Sequence, residues 1–390
     1  MRARNSYDGV VLAAPYTEPY QRYSTQTAHW WMARALRGTL KTAGLRKADI
    51  DGFCASSFSL FPDTAVGLTQ HLGLSLRYLD HIPMGGASGI VAMRRAARAV
   101  QAGDVDIVAC VAADTNQIDS FRKLLGGFSR FASDAAFPYG AGGPNMSFAL
   151  LTDRYMQETG ATRADFGKVC VAQRDNALRV PHALMKKPLS LAQYLDARPI
   201  SDPIALFDCV MPCAGGEAFL IMSEQRATAL KLPFARIGGL IEHHNAHRSD
   251  PIQQRGGWSI DIDQMYQMAS TEPAQIDLLQ TYDDYPVISL MQFEDLGFCA
   301  KGEAPAFVRQ HDLTIKGSFP HNTSGGQLSV GQAGAAGGYL GLVEAIRQVT
   351  NTAGATQVKD AKRAMVSGFG MINYDRGLCS GAAILQAGDI

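Results

Sequence analysis

Two glycine-rich turns, each opening onto a helix of small residues, constrain this chain more than any other feature. The first is residues 84–103, MGGASGIVAMRRAARAVQAG. Ile90, Val91, Ala92, Met93, Ala96, Ala97 and Val100 form a broad apolar stripe at helical spacing. So many small side chains let other backbones come close, which predicts a buried helix. Ser88 reads as its N-cap and Gly103 as its stop. A run of strand length, residues 105–113, follows directly. The second unit is residues 322–338, NTSGGQLSVGQAGAAGG, which runs into a helix over 339–349. The two units lie about 240 residues apart, too far for a solenoid repeat, and predict a duplicated α/β core. A helix N-terminus carries unpaired N–H groups and the positive end of the dipole, a natural place for an oxyanion. Residues 85–89 put no strong nucleophile there.

The rest of the chain alternates in the same way. Residues 10–14 and 50–56 read as strands, and 29–43 and 64–72 as helices. This order predicts βαβ units around a mainly parallel, buried sheet. From 116 to about 206 the texture changes to aromatics, prolines and mixed charge, with helices expected over 146–159 and 163–179. We read this segment as a cap over the site. Strand character returns over 207–223. A boundary near 224–232 then divides the chain into an N-terminal half, 1–225, and a C-terminal half, 226–390. In the second half 235–241 and 276–282 read as strands, 286–296 as a helix, and 364–367 and 381–386 as closing strands.

Totals exclude several functions. Lys plus Arg and Asp plus Glu both count 36, so the formal charge is zero and no basic footprint for nucleic acid exists. The seven cysteines are odd in number and form no CxxC pair, as expected of reduced thiols in the cytoplasm. The start lacks a signal peptide's apolar core, and no run reaches membrane-spanning length. A soluble cytoplasmic protein without a membrane partner is expected.

Three stretches carry a resemblance. They are Asn322-Thr-Ser-Gly-Gly-Gln-Leu-Ser-Val-Gly331, Tyr282-Asp-Asp-Tyr285 followed by Asp295-Leu-Gly-Phe-Cys-Ala-Lys-Gly-Glu303, and Gly85-Gly-Ala-Ser-Gly89 before its helix. Together they resemble the thiolase superfamily, in the sterol-carrier-protein-X or lipid-transfer branch. Phe207-Asp-Cys209 with Gly215-Gly-Glu-Ala218, and Val366-Ser-Gly-Phe-Gly370, fit the same branch. The resemblance spans nearly the whole chain. It implies an α/β fold, a five-layer α-β-α-β-α sandwich of two similar halves. It also implies a homodimer and acyl-CoA thioesters as substrates, with no separate cofactor. Gly86, Ser88, Asn322, Gly325, Gly326 and Gly370 would then lie against the substrate.

The chain departs from the thiolase pattern at the residues that perform thiolysis. A thiolase carries its acyl-accepting cysteine where Gly86 stands, and its Gly-His-Pro histidine where Gln332 stands. A His-Asp-Cys-Phe-like motif is replaced by Tyr282-Asp-Asp-Tyr285. Only Cys379, in Cys379-Ser-Gly381, resembles the second thiolase cysteine. Glycine cannot take an acyl group and glutamine does not titrate, so thiolysis lacks both nucleophile and base. Thiolase-like aldolases of steroid side-chain degradation also lack the nucleophile, and they cleave β-hydroxyacyl-CoA by a retro-aldol reaction. Their tyrosine lies in a Tyr-Asp-Cys-Phe motif that Tyr282-Asp-Asp-Tyr285 resembles; a second tyrosine expected near Gln332 is missing. The resemblance thus implies Tyr282 as base, helped by Asp283 or Asp284. Gln332 and Asn322 become oxyanion or positioning groups, and Cys379 a proton relay. These aldolases pair with a small partner that has a zinc ribbon and an OB-fold.

Two alternatives stay open at this point: an acyltransferase with a displaced nucleophile such as Cys209 or Cys213, and a non-catalytic acyl-CoA-binding subunit. Glu242-His-His-Asn-Ala-His247 has i, i+4 histidines, but without a further ligand set it reads as a solvated loop, and no metal is expected. Arg94-Arg95 and Lys186-Lys187 are candidate contacts for CoA phosphates.

Overall fold

The computed structural model describes residues 6–120, 137–140 and 143–388. The N-terminal half holds β1 (Val10–Gln21), α1 (Ala28–Ala43), β2 (Gly52–Ser56), α2 (Ala65–Leu72), β3 (Tyr78–His81), α3 (Ser88–Ala102) and β4 (Ile107–Asp114). The intervening segment holds α4 (Pro144–Thr159), α5 (Arg163–Ala177), α6 (Leu191–Leu195) and the small β5 (Pro199–Ser201) and β6 (Ile204–Ala205). Then follow β7 (Ala214–Ser223), α7 (Glu224–Ala229), β8 (Phe234–His244), α8 (Trp258–Ala269), β9 (Leu278–Gln280) and α9 (Pro286–Asp295). The chain closes with α10 (Ala304–Gln310), α11 (Gly326–Val330), α12 (Gly337–Val349), β10 (Arg363–Asn373) and β11 (Arg376–Ala387).

The two halves repeat one topology. In the first, β2 pairs with β4 in parallel, and β4–β7 and β7–β1 are antiparallel. In the second, β9 pairs with β10 in parallel, and β10–β11 and β11–β8 are antiparallel. Even the outer β2–β3 pair has a counterpart, a parallel bridge between Leu279 and His321. Val11, Leu12 and Ala13 pair with Arg236, Ala235 and Phe234, which joins both halves into one sheet of order β3-β2-β4-β7-β1-β8-β11-β10-β9.

Period-two alternation sorts the strands between layers. On β4, Ile107, Ala109 and Val111 face a cluster with α1 and α2, whereas Val108, Cys110 and Ala112 face α3 and α12. On β11, Ala382 and Ile384 face a cluster with α8 and α9, whereas Ala383 and Leu385 face the same central helices. The result is the five-layer α-β-α-β-α sandwich. Each fully buried Ile, Leu or Val in it contributes about 1.5–3 kcal/mol. The central layer works because glycine lets two backbones touch. A Cβ on Gly89 would lie 2.3 Å from the Gly338 carbonyl oxygen, and one on Gly338 would lie 2.6 Å from the Gly85 oxygen.

The sheet is mixed, not mainly parallel as the alternation of elements predicts. Among the described residues three of its strand pairings are parallel and five antiparallel, because β1, β7, β8 and β11 at its centre each run antiparallel to both neighbours. Several elements also differ in extent from the sequence reading. β1 runs past residue 14 to Gln21, because Ala14 at φ 53° forms a bulge that the strand survives. The helix α8 and the strand β3 are additional to it. Ser88 does not cap α3; it is the first helical residue, and its Oγ accepts the Met84 N–H at 2.9 Å. The cap expected over 116–206 falls partly on residues outside those described. Its described helices α4 and α5 pack on the outer cluster of the C-terminal half.

Replacing Gly89 with Val should cost about 3 kcal/mol, because the central helices must separate. Gly67→Ala, on the exposed face of α2 with only Thr64 Oγ1 3.9 Å from its new Cβ, should be neutral or stabilising by up to about 1 kcal/mol. Urea unfolding midpoints read both; equal midpoints would show that the helix contact carries no weight.

Candidate active site

The site sits beyond the carboxyl ends of the parallel strands, where α/β proteins gather ligands. The segment between β9 and α9 supplies Tyr282, Asp283 and Asp284. The turn before α3 supplies Gly85 and Gly86, and the segment between α11 and α12 supplies Gln332. With Phe58, Phe148, Phe369, Met371 and Ile372, all of these but Asp283 line a cavity of about 300 Å³.

Tyr282 is held rigidly. Its N–H donates to the Ser367 carbonyl at 3.1 Å, and its own carbonyl accepts from Gln292 Nε2 at 2.8 Å. Ser367 Oγ in turn donates to Gln292 Oε1 at 2.6 Å. The phenol ring lies over Gly86. A Cβ on Gly86 would fall 2.2 Å from Tyr282 Cε2 and 2.4 Å from the Phe369 carbonyl oxygen. Residue 86 therefore has room for no side chain at all while Tyr282 is in place.

The Tyr282 hydroxyl accepts from Gln332 Nε2 at 3.0 Å, and the same amide donates to Asp284 Oδ1. Gln332 is pinned by its backbone: its N–H donates to the Met211 carbonyl and its carbonyl accepts from Cys213 N–H, each at 2.9 Å. Burial and the neighbouring Asp284 carboxylate push the Tyr282 phenol well above its ordinary range. Burial raises Asp284 to about 7, with the Tyr282 hydroxyl partly opposing the shift. The cavity thus pairs a phenol that stays protonated with a carboxylate poised near neutrality.

Asp284 lines the cavity and Asp283 does not. Its carboxylate accepts the N–H groups of Gln327 at 2.9 Å and Leu328 at 3.2 Å. It is raised to about 8 because burial outweighs these bonds. Gly326, at φ 60°, makes room for it: a Cβ there would lie 2.1 Å from Asp283 Oδ2. Gly325, at φ 101°, packs against Ala177. Asn322, at φ 42°, accepts the Thr281 N–H at 2.8 Å. Gly370 lies under the Met84 carbonyl and pairs with Cys379 across β10 and β11. Ser88, Asn322, Gly325, Gly326 and Gly370 hold the segments around the cavity and do not line it. Cys379 faces the central layer, away from the cavity, and burial and Glu242 push its thiol up to about 12.

Other features of the sequence resolve into structural pairs. Arg94 and Arg95 both bind Glu242, at 3.0 and 2.9 Å. Lys186 Nζ donates to the carbonyls of Val180 and Pro181. His243, His244 and His247 turn to separate partners, Asp261, Glu242 and Ser259. Sequence reasoning missed Asp114, at the carboxyl end of β4. Its buried carboxylate accepts from Ser57 Oγ at 2.8 Å, from the N–H of Phe58 at 2.9 Å and from the N–H of Ala335 at 2.7 Å. An acid ending an otherwise apolar strand is the signal that marks it.

With this geometry in view, comparison with known proteins places the chain. The profile of the "Thiolase C-terminal domain-like" family matches residues 238–379. A steroid side-chain-cleaving aldolase of Thermomonospora curvata is 32% identical over 338 residues, covering 82% of this chain and 84% of that protein. The 17-hydroxy-3-oxo-4-pregnene-20-carboxyl-CoA lyase of Mycobacterium tuberculosis is 29% identical, covering 82% and 86%. The solved structure of an Ltp2-ChsH2(DUF35) aldolase superposes with a TM-score of 0.83 at 27% identity, covering 97% of this chain and 98% of that one. The chain belongs to the thiolase superfamily, within the lipid-transfer branch that includes these aldolases.

Gly86→Ala should cost about 2 kcal/mol, through collision with the Tyr282 ring and the Phe369 carbonyl. Tyr282→Ala in the same chain should recover at least about 1 kcal/mol of that cost, read as the coupling in a double-mutant cycle of unfolding free energies. Strict additivity would mean that the ring and residue 86 do not compete for one space.

Proposed function

We propose that this chain cleaves the Cα–Cβ bond of a β-hydroxyacyl-CoA by a retro-aldol route, without an acyl-enzyme. The observation that carries this reading is the Tyr282 ring in the space over Gly86. The position of a thiolase nucleophile is filled by a phenol whose hydroxyl sits beside a carboxylate of pKa about 7. Among the described residues no cysteine lines this cavity, and burial holds Cys213, which lines the adjoining one, well above the thiolate range. That weighs against a displaced nucleophile.

The β-hydroxyl proton passes to the Tyr282 oxygen while Tyr282 gives its own proton to Asp284, so the phenol never has to ionise. The electrons of the O–H bond form the new carbonyl, and those of the Cα–Cβ bond move into the thioester enolate. Protonation of Asp284 weakens its hold on the Gln332 amide, whose N–H then turns to the enolate oxygen. The enolate takes back at Cα, through the Tyr282 hydroxyl, the proton held by Asp284 and leaves as a shortened acyl-CoA, which restores the carboxylate. Proton acceptor and oxyanion donor both come from the chain, so the scheme needs no cofactor beyond the CoA of the substrate.

A small zinc-ribbon and OB-fold partner fits the resemblance, and the similar aldolase structure carries two named components. A homodimer fits the open edge at β3, whose four residues are all partly exposed. A cytoplasmic setting fits seven cysteines that are all free thiols. Among the described residues no helix is long and apolar enough to cross a membrane.

Asp284 links activity to stability. In the folded chain it keeps its proton up to about 7, and when unfolded it loses it near about 3.9. Between these values the folded state binds more protons, so its stability falls as pH rises and stays lower above the window. Turnover should therefore rise as pH passes about 7, and Asp284→Asn should abolish that rise. The same variant should melt higher than the parent at pH 8, with the gain vanishing by pH 4. Tyr282→Phe should lose about 100-fold or more in kcat. Full activity in Tyr282→Phe, or a flat pH profile in the parent, would contradict the assignment.

A further inference from the structure

We propose that Phe58 is the specificity-determining partition of the site, and that Asp114 is the residue that positions it. This deepens the retro-aldol reading and rests on it. The cavity of about 300 Å³ has a neighbour. A second, of about 280 Å³, lies beside it and is lined by Ser59, Asp114, Thr115, Asn116 and Ser120 among others. Phe58, Gln332 and Gly334 line both. The two chambers therefore meet at Gln332, which bonds the proposed proton-transfer pair. A retro-aldol cleavage makes two fragments that part at this point, and the site has one chamber for each.

Among the described residues, the first is walled by Phe58, Phe61, Phe148, Phe369, Met371 and Ile372, and its ionisable groups are Tyr282 and Asp284. An anionic fragment would face Asp284 there, whereas an uncharged apolar carbonyl compound would be desolvated at little cost. The second sets Ser59, Thr115, Asn116 and Ser120 beside Phe58, Pro212 and Cys213, and its wall is likewise mostly apolar. Phe58 is the one large side chain shared by both walls, and it is 36% exposed, so no core packing fixes its place.

Hydrogen bonds fix it instead. The Phe58 N–H donates to Asp114 Oδ1 at 2.9 Å and Oδ2 at 3.2 Å, and the Ser59 N–H donates to Oδ1 at 2.6 Å. From the other half, Ala335 N–H donates to Oδ2 at 2.7 Å. Gly334 packs so closely that a Cβ would lie 2.2 Å from Oδ2. One buried carboxylate thus sets the gap between Phe58 and the Gln332–Gly334 segment, and with it the room beside the breaking bond.

The test compares three β-hydroxyacyl-CoAs that release acetone, cyclohexanone and 2-decalone. Phe58→Ala should raise the kcat/KM ratio of the decalone-releasing to the acetone-releasing compound about tenfold, mainly through KM, and Phe58→Trp should lower it. Asp114→Asn should shift the ratio in the parent but not in Phe58→Ala, because it acts through that ring. A ratio that stays within about twofold in both Phe58 variants, while all three rates fall together, overturns the proposal. If the parent cleaves none of the three, the aldolase reading fails and ketone binding decides the partition. Binding of cyclohexanone and 2-decalone is read by tryptophan fluorescence, since Trp258 stacks on the cavity residue Phe369 at 5.8 Å. A decalone preference that rises in Phe58→Ala supports the partition, and an unchanged preference overturns it.

Discussion

The contact between α3 and α12 is the constraint on which the rest of the structure depends. Two helices whose backbones meet at Gly89 and Gly338 must both begin in glycine-rich turns, because a single Cβ would drive them apart. Those turns are also the places where the cavity is built. Gly86 ends up under Tyr282, and Gln332, a few residues before α12, ends up beside it. Packing of the central layer thus brings a glycine turn of the first half against the Tyr282 and Gln332 segments of the second. Asp114 reinforces the arrangement by bonding a loop of the first half and a loop of the second through one carboxylate.

The exchange at residue 86 follows from volume and chemistry together. A cysteine there and a tyrosine at 282 cannot share the space, so the chain gives up covalent capture where it gains a phenol. Burial then keeps that phenol protonated and lifts Asp284 to about 7. The same desolvation that raises Asp284 lowers stability above its pKa, so the site is built at a cost to the fold. Gln332, where a thiolase-like pattern would have a histidine, is a group that donates hydrogen bonds and does not titrate.

The fold was legible because its strongest signals are local. Small-residue helices after glycine turns, all-apolar strands and αL glycines at helix ends such as Gly44, Gly73 and Gly103 are readable one segment at a time. Elements were missed where local cues mislead. Ala14-Pro15 reads as a strand end, yet β1 absorbs it as a bulge; α8 runs Ser-Ile-Asp-Ile-Asp after its first residue, and this period-two alternation masks its helical stripe. The site was legible only in part. Tyr282 and Gln332 were found through motif resemblance, and the structure brings them within 3.0 Å. Which of Asp283 and Asp284 faces the cavity depends on how the chain turns between β9 and α9, and the sequence does not carry that. Asn322, Gly325, Gly326 and Gly370 belong to the same motifs but hold backbone in place. Asp114 carries a local mark, an acid that ends an apolar strand, but its partners Phe58 and Ala335 come from segments that only the tertiary fold brings together.

Product analysis joined to intact-protein mass spectrometry tests the central claim most directly. The chain is incubated with a β-hydroxyacyl-CoA, alone and with a zinc-ribbon and OB-fold partner, then quenched and weighed. The account predicts a free carbonyl compound, a shortened acyl-CoA and an unchanged protein mass. A protein mass raised by an acyl group, mapped to any cysteine, would contradict it, because covalent capture would then have survived without the cysteine that Gly86 replaces.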